Sequence, residues 1–324
     1  MNILFVIDKI ELKYFEFNNL VTNFWIIKEF LSRRHHVYIT TNNKLYLENS
    51  LAHATCFETY IKNENIFYNK DTQDYKLDDF DFVMFRPDPP VDNDYINATY
   101  ILDFTTTPVI NNPTSIRNFN EKLHATLFSE YMPKHIVSAS REKIEAFLKE
   151  EKEIILKPLN KCFGSGVMYL YDGDPNTRSI INGMTNDENS VVMVQKFIPA
   201  IKYGDKRVLT LGDNIMDYSV IKLPTKDDFK FNTHNDNFVK KGVLSEEEKF
   251  NFSKVAKKLN QMGIYMAGLD VVDGQIIEVN VTSPCYFIKE INKNFCANIE
   301  IQIVDYILTL AKSLKAGEPE PACI

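Results

Sequence analysis

No glycine occurs before position 164, although the chain holds eleven of them. A G-x-G-x-x-G turn or a Walker-type phosphate loop is therefore excluded from the first 163 residues, because both need glycine where backbone approaches phosphate. Two common nucleotide-binding readings are thereby excluded from that stretch.

The early part still alternates as an α/β unit. Ile3 to Ile7 is a short apolar run, followed by a helix-like stretch from about Asn18 to Ser32 and a β-branched run at Val37 to Thr40. The run Phe82 to Phe85 ends in Arg86-Pro87-Asp88-Pro89-Pro90, whose prolines stop both helix and ladder and leave a turn where α/β folds keep their ligands. Helix-like Tyr95 to Phe104, strand-like Val109 to Ile110 and the Asn112-Pro113 helix start complete a doubly wound unit.

From Asn120 the texture becomes α+β. Helices are expected through Ser129 and at about Arg141 to Glu150, and strands at Glu153 to Leu156, Val167 to Tyr171 and Val191 to Phe197. The last third reads as strands at Lys206 to Leu211 and Asn214 to Leu223, a polar loop over Lys226 to Lys241, a helix from Ser245 to Met262, a hairpin, and a closing helix near Ile299 to Ser313. With 324 residues and ~100–200 per domain, we divide the chain into 1–120, 121–200, 201–316 and a tail at 317–324.

Composition narrows the function classes. A 44% hydrophobic, 25% charged chain is an ordinary globular one, and no apolar run approaches the ~18 residues of a membrane span. Lys9 and Glu11 interrupt any signal-peptide core, so the expected compartment is the cytoplasm, with no membrane partner. A net charge of −7 offers no basic footprint for nucleic acid. Five scattered cysteines without a C-x-x-C pair read as free thiols, and the six histidines show no metal-ligand spacing.

The strongest chemical signal is the hairpin Gly268-Leu269-Asp270-Val271-Val272-Asp273-Gly274-Gln275-Ile276-Ile277-Glu278-Val279-Asn280. In a strand Glu278 and Asn280 share a face, as two ligands of one hard cation must. A two-residue Asp273-Gly274 loop would put Asp270 on the opposite face; a three-residue loop with Gly274 left-handed would restore it. We expect the odd loop, giving a Mg²⁺ site of Asp270, Glu278 and Asn280; the alternative is a polar hairpin face that meets water. Lys157 ends the apolar run Ile154 to Leu156 and is placed either for phosphate or for solvent. Gly164-Ser165-Gly166 is either a phosphate-facing turn or a tight hairpin. Gly204-Asp205-Lys206-Arg207 enters a strand, with Arg207 suited to grip a carboxylate unless the turn is merely solvated.

Taken in order, Met84 to Pro90, Ala98 to Leu102, Asn120-Glu121-Lys122-Leu123, Ile155 to Leu159, Pro199-Ala200-Ile201-Lys202 with Gly204 to Arg207, and Gly268-Leu269-Asp270 with Glu278 to Pro284 resemble the blocks of the prokaryotic glutathione synthetases of the ATP-grasp superfamily. The resemblance covers nearly the whole chain. It implies a Rossmann-like N-terminal domain followed by an ATP-grasp fold of two α+β subdomains, and joining of γ-glutamylcysteine to glycine through an acyl phosphate. By that resemblance Lys122, Lys157 and the Gly164-Ser165-Gly166 loop contact ATP phosphates, and Gln195-Lys196-Phe197-Ile198 holds adenine. Asp270, Glu278 and Asn280 ligate Mg²⁺ or Mn²⁺. Arg207, supported by Asp205, is catalytic. Arg86, Arg207, Lys230, Asn232, Asn280, Thr282 and Ser283 contact the dipeptide, and the protein is expected to be a homo-oligomer.

Three departures lie mostly in the substrate region. Lys161 and Phe163 stand at positions usually glycine in the phosphate loop. The lid, an Arg followed by Gly and Ala in the family, is matched here by Lys230 to Asn237, where only Asn232 is kept. The segment after Pro284 is one residue longer than usual. The alternatives are an ATP-grasp ligase for another γ-glutamyl or amino-acid substrate, and a nucleotide-binding protein without turnover.

Overall fold

A computed structural model describes residues 1–14, 19–162, 164–224 and 239–317. Among these residues three sheets form. The first contains β1 (Asn2–Ile7), β2 (His36–Thr41), β3 (Leu45–Glu48), β4 (Leu51–Lys62), β5 (Asn65–Lys76), β6 (Phe82–Phe85) and β7 (Val109–Ile110). Its order is β3-β4-β2-β1-β6-β7, with β5 on the other edge of β4. β1 runs parallel to both β2 and β6, and β6 parallel to β7.

β1 is buried on both faces, which is why it reads as an unbroken apolar run. Ile3, Phe5 and Ile7 share a core with Phe24, Ile27 and Phe30 of helix 22–32 and with Ile303 and Ile307 of helix 299–315. Leu4 and Val6 face the other way, into the core that takes Tyr95, Ala98 and Leu102 of helix 93–102. Helix 113–118 starts as read: the Asn112 side chain accepts from the Ser115 amide, with Pro113 in the first turn.

The second sheet is β8 (His135–Ser138), β9 (Glu153–Pro158), β10 (Met168–Tyr171) and β11 (Val192–Lys196), in the order β10-β9-β11-β8. The third is β12 (Asp205–Leu211), β13 (Asn214–Lys222), β14 (Val239–Gly242), β15 (Met266–Val272) and β16 (Gln275–Asn280), in the order β14-β13-β12-β15-β16. Helix 246–261 begins with a capping box between Ser245 and Glu248.

Several expectations need correction. The long antiparallel ribbon of β4 and β5 does not stand out in the sequence, because β5 is mostly exposed and polar and shows no apolar alternation. The stretch expected as a helix through Ser129 is a kinked 3₁₀ segment over His124–Tyr131. The end of the expected loop, Val239 to Gly242, pairs with β13, whereas residues 225–238 lie outside the described residues. The expectation of free thiols, by contrast, holds for Cys56, Cys162, Cys285 and Cys296.

One side chain joins the first sheet to the third. Asn111, next after β7, is buried; its amide nitrogen donates to the carbonyls of Met266 (2.8 Å) and Val281 (2.9 Å), and its oxygen accepts from the Met266 amide (2.9 Å).

Candidate active site

The β15–β16 hairpin turns through two residues, Asp273 (φ 50°) and Gly274 (φ 73°), which pair Val272 with Gln275. The expected three-residue loop is absent. Both turn residues are left-handed, as a two-residue hairpin with the native twist requires. Continued regularly, this ladder would set Asp270 against Ile277. Instead the register shifts: Val271 faces Ile276 and Asp270 faces Glu278, so Ile277 is the extra residue of a β-bulge. Asp270, Glu278 and Asn280 therefore share a face by a device other than the loop.

Asp270 is buried among cations. Across the β12–β15 pair, Arg207 Nε donates to its Oδ1 at 2.7 Å and Nη2 to its Oδ2 at 3.2 Å. Lys222 Nζ reaches Asp270 Oδ1 at 2.8 Å and Asp205 Oδ2 at 2.5 Å. Asn280 Nδ2 donates to Asp270 Oδ2 at 3.2 Å. Burial alone would push the Asp270 carboxyl up, but Arg207 and Lys222 outweigh it and hold it well below the usual carboxylate range. Gly268 makes room for this arrangement: a Cβ there would stand 2.9 Å from Arg207 Nη1 and 3.2 Å from Pro284 Cβ.

Glu278 answers to the turn ahead of the second sheet. Its Oε1 lies 2.9 Å from Lys122 Nζ, which also donates to the Lys161 carbonyl at 2.7 Å. Burial works against the Lys122 charge, but Glu278 overrides it and raises the pKa. Lys157 Nζ donates to the Ile277 carbonyl at 3.0 Å, and Gln195 Nε2 reaches the same oxygen at 3.5 Å. Burial lowers Lys157 from an ordinary 10.5 to about 8.

The remaining sequence candidates scatter around this centre. Gly164 and Gly166 have positive φ in a turn closed by Ser165 N–H to Cys162 O, and Phe163 lies outside the described residues. Lys196 points away from Gln195 and pairs with Glu151 at 3.0 Å, while Phe197 meets Tyr169 edge-on. Ile198 follows as the residue before the Pro199–Tyr203 turn. Thr282 is bonded to Glu121, Ser283 to Asp88, and buried Arg86 to Asn23 and the Pro284 carbonyl. Lys230 and Asn232 lie outside the described residues.

Asp270, Glu278 and Asn280 form an oxygen-only donor set, whose chemistry fits a hard divalent ion. Among the described residues no group of three His, Cys, Asp or Glu side chains is placed to hold a metal ion, so the set depends on the Asn280 amide. Glu278 is the more open carboxylate, its side chain 24% exposed against 9% for Asp270.

Two family models divide almost the whole chain: the prokaryotic glutathione synthetase N-terminal domain matches residues 1–117 and the ATP-grasp domain of the same enzymes matches residues 121–295. The chain belongs to the prokaryotic glutathione synthetase family. Glutathione synthetase of Vibrio vulnificus (strain YJ016) is 34% identical over 291 residues, covering 88% of this chain and 91% of that protein. That of Buchnera aphidicola subsp. Baizongia pistaciae is 32% identical over 300 residues, covering 91% of each. Among solved structures, D-cycloserine synthetase DcsG superposes with a TM-score of 0.66 at 12% identity, covering 97% of this chain and all of that one. D-alanyl-alanine synthetase A of Vibrio cholerae gives 0.61 at 13%, covering 98% and 99%. This glutathione synthetase family member is thus an ATP-dependent ligase with a doubly wound domain ahead of an ATP-grasp fold.

Two residues at the centre went unassigned in the sequence. Glu121 accepts from the Val281 amide (2.7 Å), the Thr282 amide (3.1 Å) and the Thr282 hydroxyl (3.1 Å). In the sequence it is part of the Asn120-Glu121-Lys122-Leu123 motif, with no role of its own. Lys222 neutralises Asp205 and Asp270 together, and its only signal was alternation at the end of a strand. Among the described residues no helix is long and apolar enough to cross a membrane.

Proposed function

We propose that this chain is a glutathione synthetase that joins γ-glutamylcysteine to glycine with ATP. The observation that carries the reading, beside family membership, is the convergence of Arg207, Lys222 and Lys122 on the Asp270–Glu278 pair, with Lys157 fixed beside it. A carboxylate is a poor electrophile. Its oxygen attacks the γ-phosphorus of ATP, the bond to the bridging oxygen breaks, and ADP leaves an acyl phosphate. The amine of glycine then adds to the acyl carbon, gives up a proton, and phosphate departs with the C–O bonding pair.

The protein's work is positioning and charge stabilisation. Lys122 and Lys157 offer ammonium groups to the phosphates, the Gly164-Ser165-Gly166 turn offers backbone N–H groups, and Gln195 to Ile198 lies along the adenine. Arg207 presents a guanidinium to the oxyanion that develops on the acyl carbon, and Asp205 holds Lys222 in the same cluster. Arg86 braces the Pro284 carbonyl, next to Thr282 and Ser283 along the dipeptide, and Lys230 and Asn232 belong to the segment expected to cover it. Asp270, Glu278 and Asn280 would hold Mg²⁺ or Mn²⁺, which supplies charge neutralisation of the triphosphate. The cytoplasm, where ATP is found, is the proposed compartment, and a homo-oligomer the proposed assembly.

An omission assay tests this. With Mg²⁺-ATP, γ-glutamylcysteine and glycine, phosphate release and the tripeptide mass appear together only when all three are present. Phosphate release that ignores the dipeptide and responds to another acid overturns the donor assignment; ATP binding with no turnover on any acid overturns the ligase.

A further inference from the structure

Asp205 and Lys222 face each other across the β12–β13 pair, as Arg207 and Asp270 do across β12–β15. All four are buried. An ionised carboxylate offers about four lone-pair positions. On Asp270 four donors are aimed at them: Arg207 Nε (2.7 Å) and Lys222 Nζ (2.8 Å) at Oδ1, Arg207 Nη2 (3.2 Å) and Asn280 Nδ2 (3.2 Å) at Oδ2. The other carboxylate of the donor set, Glu278, is joined to Lys122. A divalent ion that binds Asp270 therefore has to take the place of a donor already there.

Lys222 is the donor that loses least by leaving. Arg207 bonds both Asp270 oxygens and the Cys285 carbonyl as well, so its release would break a two-bond fork. Asn280 carries no charge and does not oppose a cation. Lys222 has a second acid within reach: its Nζ lies 2.5 Å from Asp205 Oδ2, a contact that survives when the one to Asp270 is broken. An ammonium on a flexible stem can make that move, having no fixed fork to preserve. Burial works against the Lys222 charge, but Asp205 and Asp270 override it and raise the pKa, so the group that competes at neutral pH is a cation.

The surrounding charges discriminate between kinds of ligand. Arg207, Lys222, Lys122 and Lys157 stand against Asp205, Asp270, Glu278 and Glu121, one for one. Such a centre has no excess negative charge to draw in a bare divalent ion, and Lys222 on the oxygen that the ion would use repels it. A triphosphate reverses the sign. Complexed with one divalent ion it is still an anion, and the same ammonium attracts it.

We propose that Lys222 reserves Asp270 for a metal nucleotide, holding it against a bare divalent ion and withdrawing onto Asp205 when metal and triphosphate enter together; this rests on the reading of Asp270, Glu278 and Asn280 as the metal-nucleotide site. Lys222 acts through Asp270 and is a positioning residue. It makes the triphosphate a condition for loading the metal.

The test measures, by calorimetry at neutral pH, the binding of Mn²⁺ alone and of the Mn²⁺ complex of a nonhydrolysable ATP analogue to wild type, Lys222→Met and Asp205→Asn, with thermal melts of each. Lys222→Met should bind Mn²⁺ alone about 10-fold or more tighter than wild type, and should gain less than that, or lose, for the complex. A lost side chain that mattered only for folding would not tighten one probe over the other. No gain for Mn²⁺ alone, or an equal or larger gain for the complex, overturns the role of Lys222 and leaves the metal-nucleotide reading standing. If Lys222→Met does not fold, Asp205→Asn decides: without the acid that receives Lys222, the complex should bind about 10-fold weaker or worse, and undiminished binding overturns the proposal. Failure of wild type to bind the complex overturns the metal-nucleotide reading and this role with it.

Discussion

Lys157 and Ile277 are 120 positions apart in the chain, yet the Lys157 ammonium donates to the Ile277 carbonyl at 3.0 Å. That carbonyl belongs to the bulge that brings Glu278 opposite Asp270. A buried lysine satisfied by a neutral oxygen keeps its charge at a cost, and the cost gives it a measurable signature.

Replacing Lys157 with Met should therefore stabilise the fold and weaken nucleotide binding together. The folded pKa of about 8 lies below the ordinary 10.5, so between those values the unfolded chain binds the proton that the folded one has lost. Stability then rises with pH through that window, and below it the buried charge costs of order 3 kcal/mol. Thermal melts at pH 7 should place Lys157→Met above wild type, with the gap closing by pH 10 to 11. Wild-type KM for ATP should rise above pH 8 as the ammonium is lost.

Glu278→Gln removes the open carboxylate of the donor set and the partner of Lys122. We expect kcat/KM to fall roughly 100-fold, with a higher Mg²⁺ requirement in titrations at fixed ATP. Wild-type rates in this variant would exclude the proposed ion site.

Arg207 and Asp270 separate charge from geometry. Arg207→Ala leaves a buried carboxylate short of its main partner and should cost about 3–5 kcal/mol in denaturant unfolding. Arg207→Lys keeps one positive charge but not the two donors that reach Oδ1 and Oδ2. It should melt closer to wild type while turnover drops roughly 100-fold.

Glu121→Ala strands two backbone amides and a hydroxyl. Loss of charged acceptors of this kind should cost roughly 3 kcal/mol and speed amide exchange at Val281 and Thr282. Glu121→Gln, which retains an acceptor oxygen, should recover part of both. Unchanged exchange in the Ala variant would show that the segment is held by other contacts.

The sequence was most legible where local chemistry decides the outcome. The Phe82–Phe85 strand, the Asn112-Pro113 helix start and the helix between Ser245 and Met262 all follow from runs, caps and prolines. The shared face of Asp270 and Glu278 was legible as a requirement, but its means was not. A bulge at Ile277 is favoured by what lies across from it, Lys157 and Gln195 of another sheet, and nothing within the hairpin announces them. Lys222 and Glu121 escaped for the same reason: each is defined by partners far away in the chain. β5 escaped because its residues are mostly exposed and leave no apolar rhythm to read.

Asn111 has a consequence for how the first and third sheets stay aligned. Arg86 follows a strand of the first sheet and the Asp270–Glu278 pair lies on the third, and one amide side chain is pinned between the two layers on both its oxygen and its nitrogen. A shorter replacement would leave the Met266 amide and the Met266 and Val281 carbonyls without their buried partner, so the alignment of one sheet against the other depends on a side chain that belongs to neither.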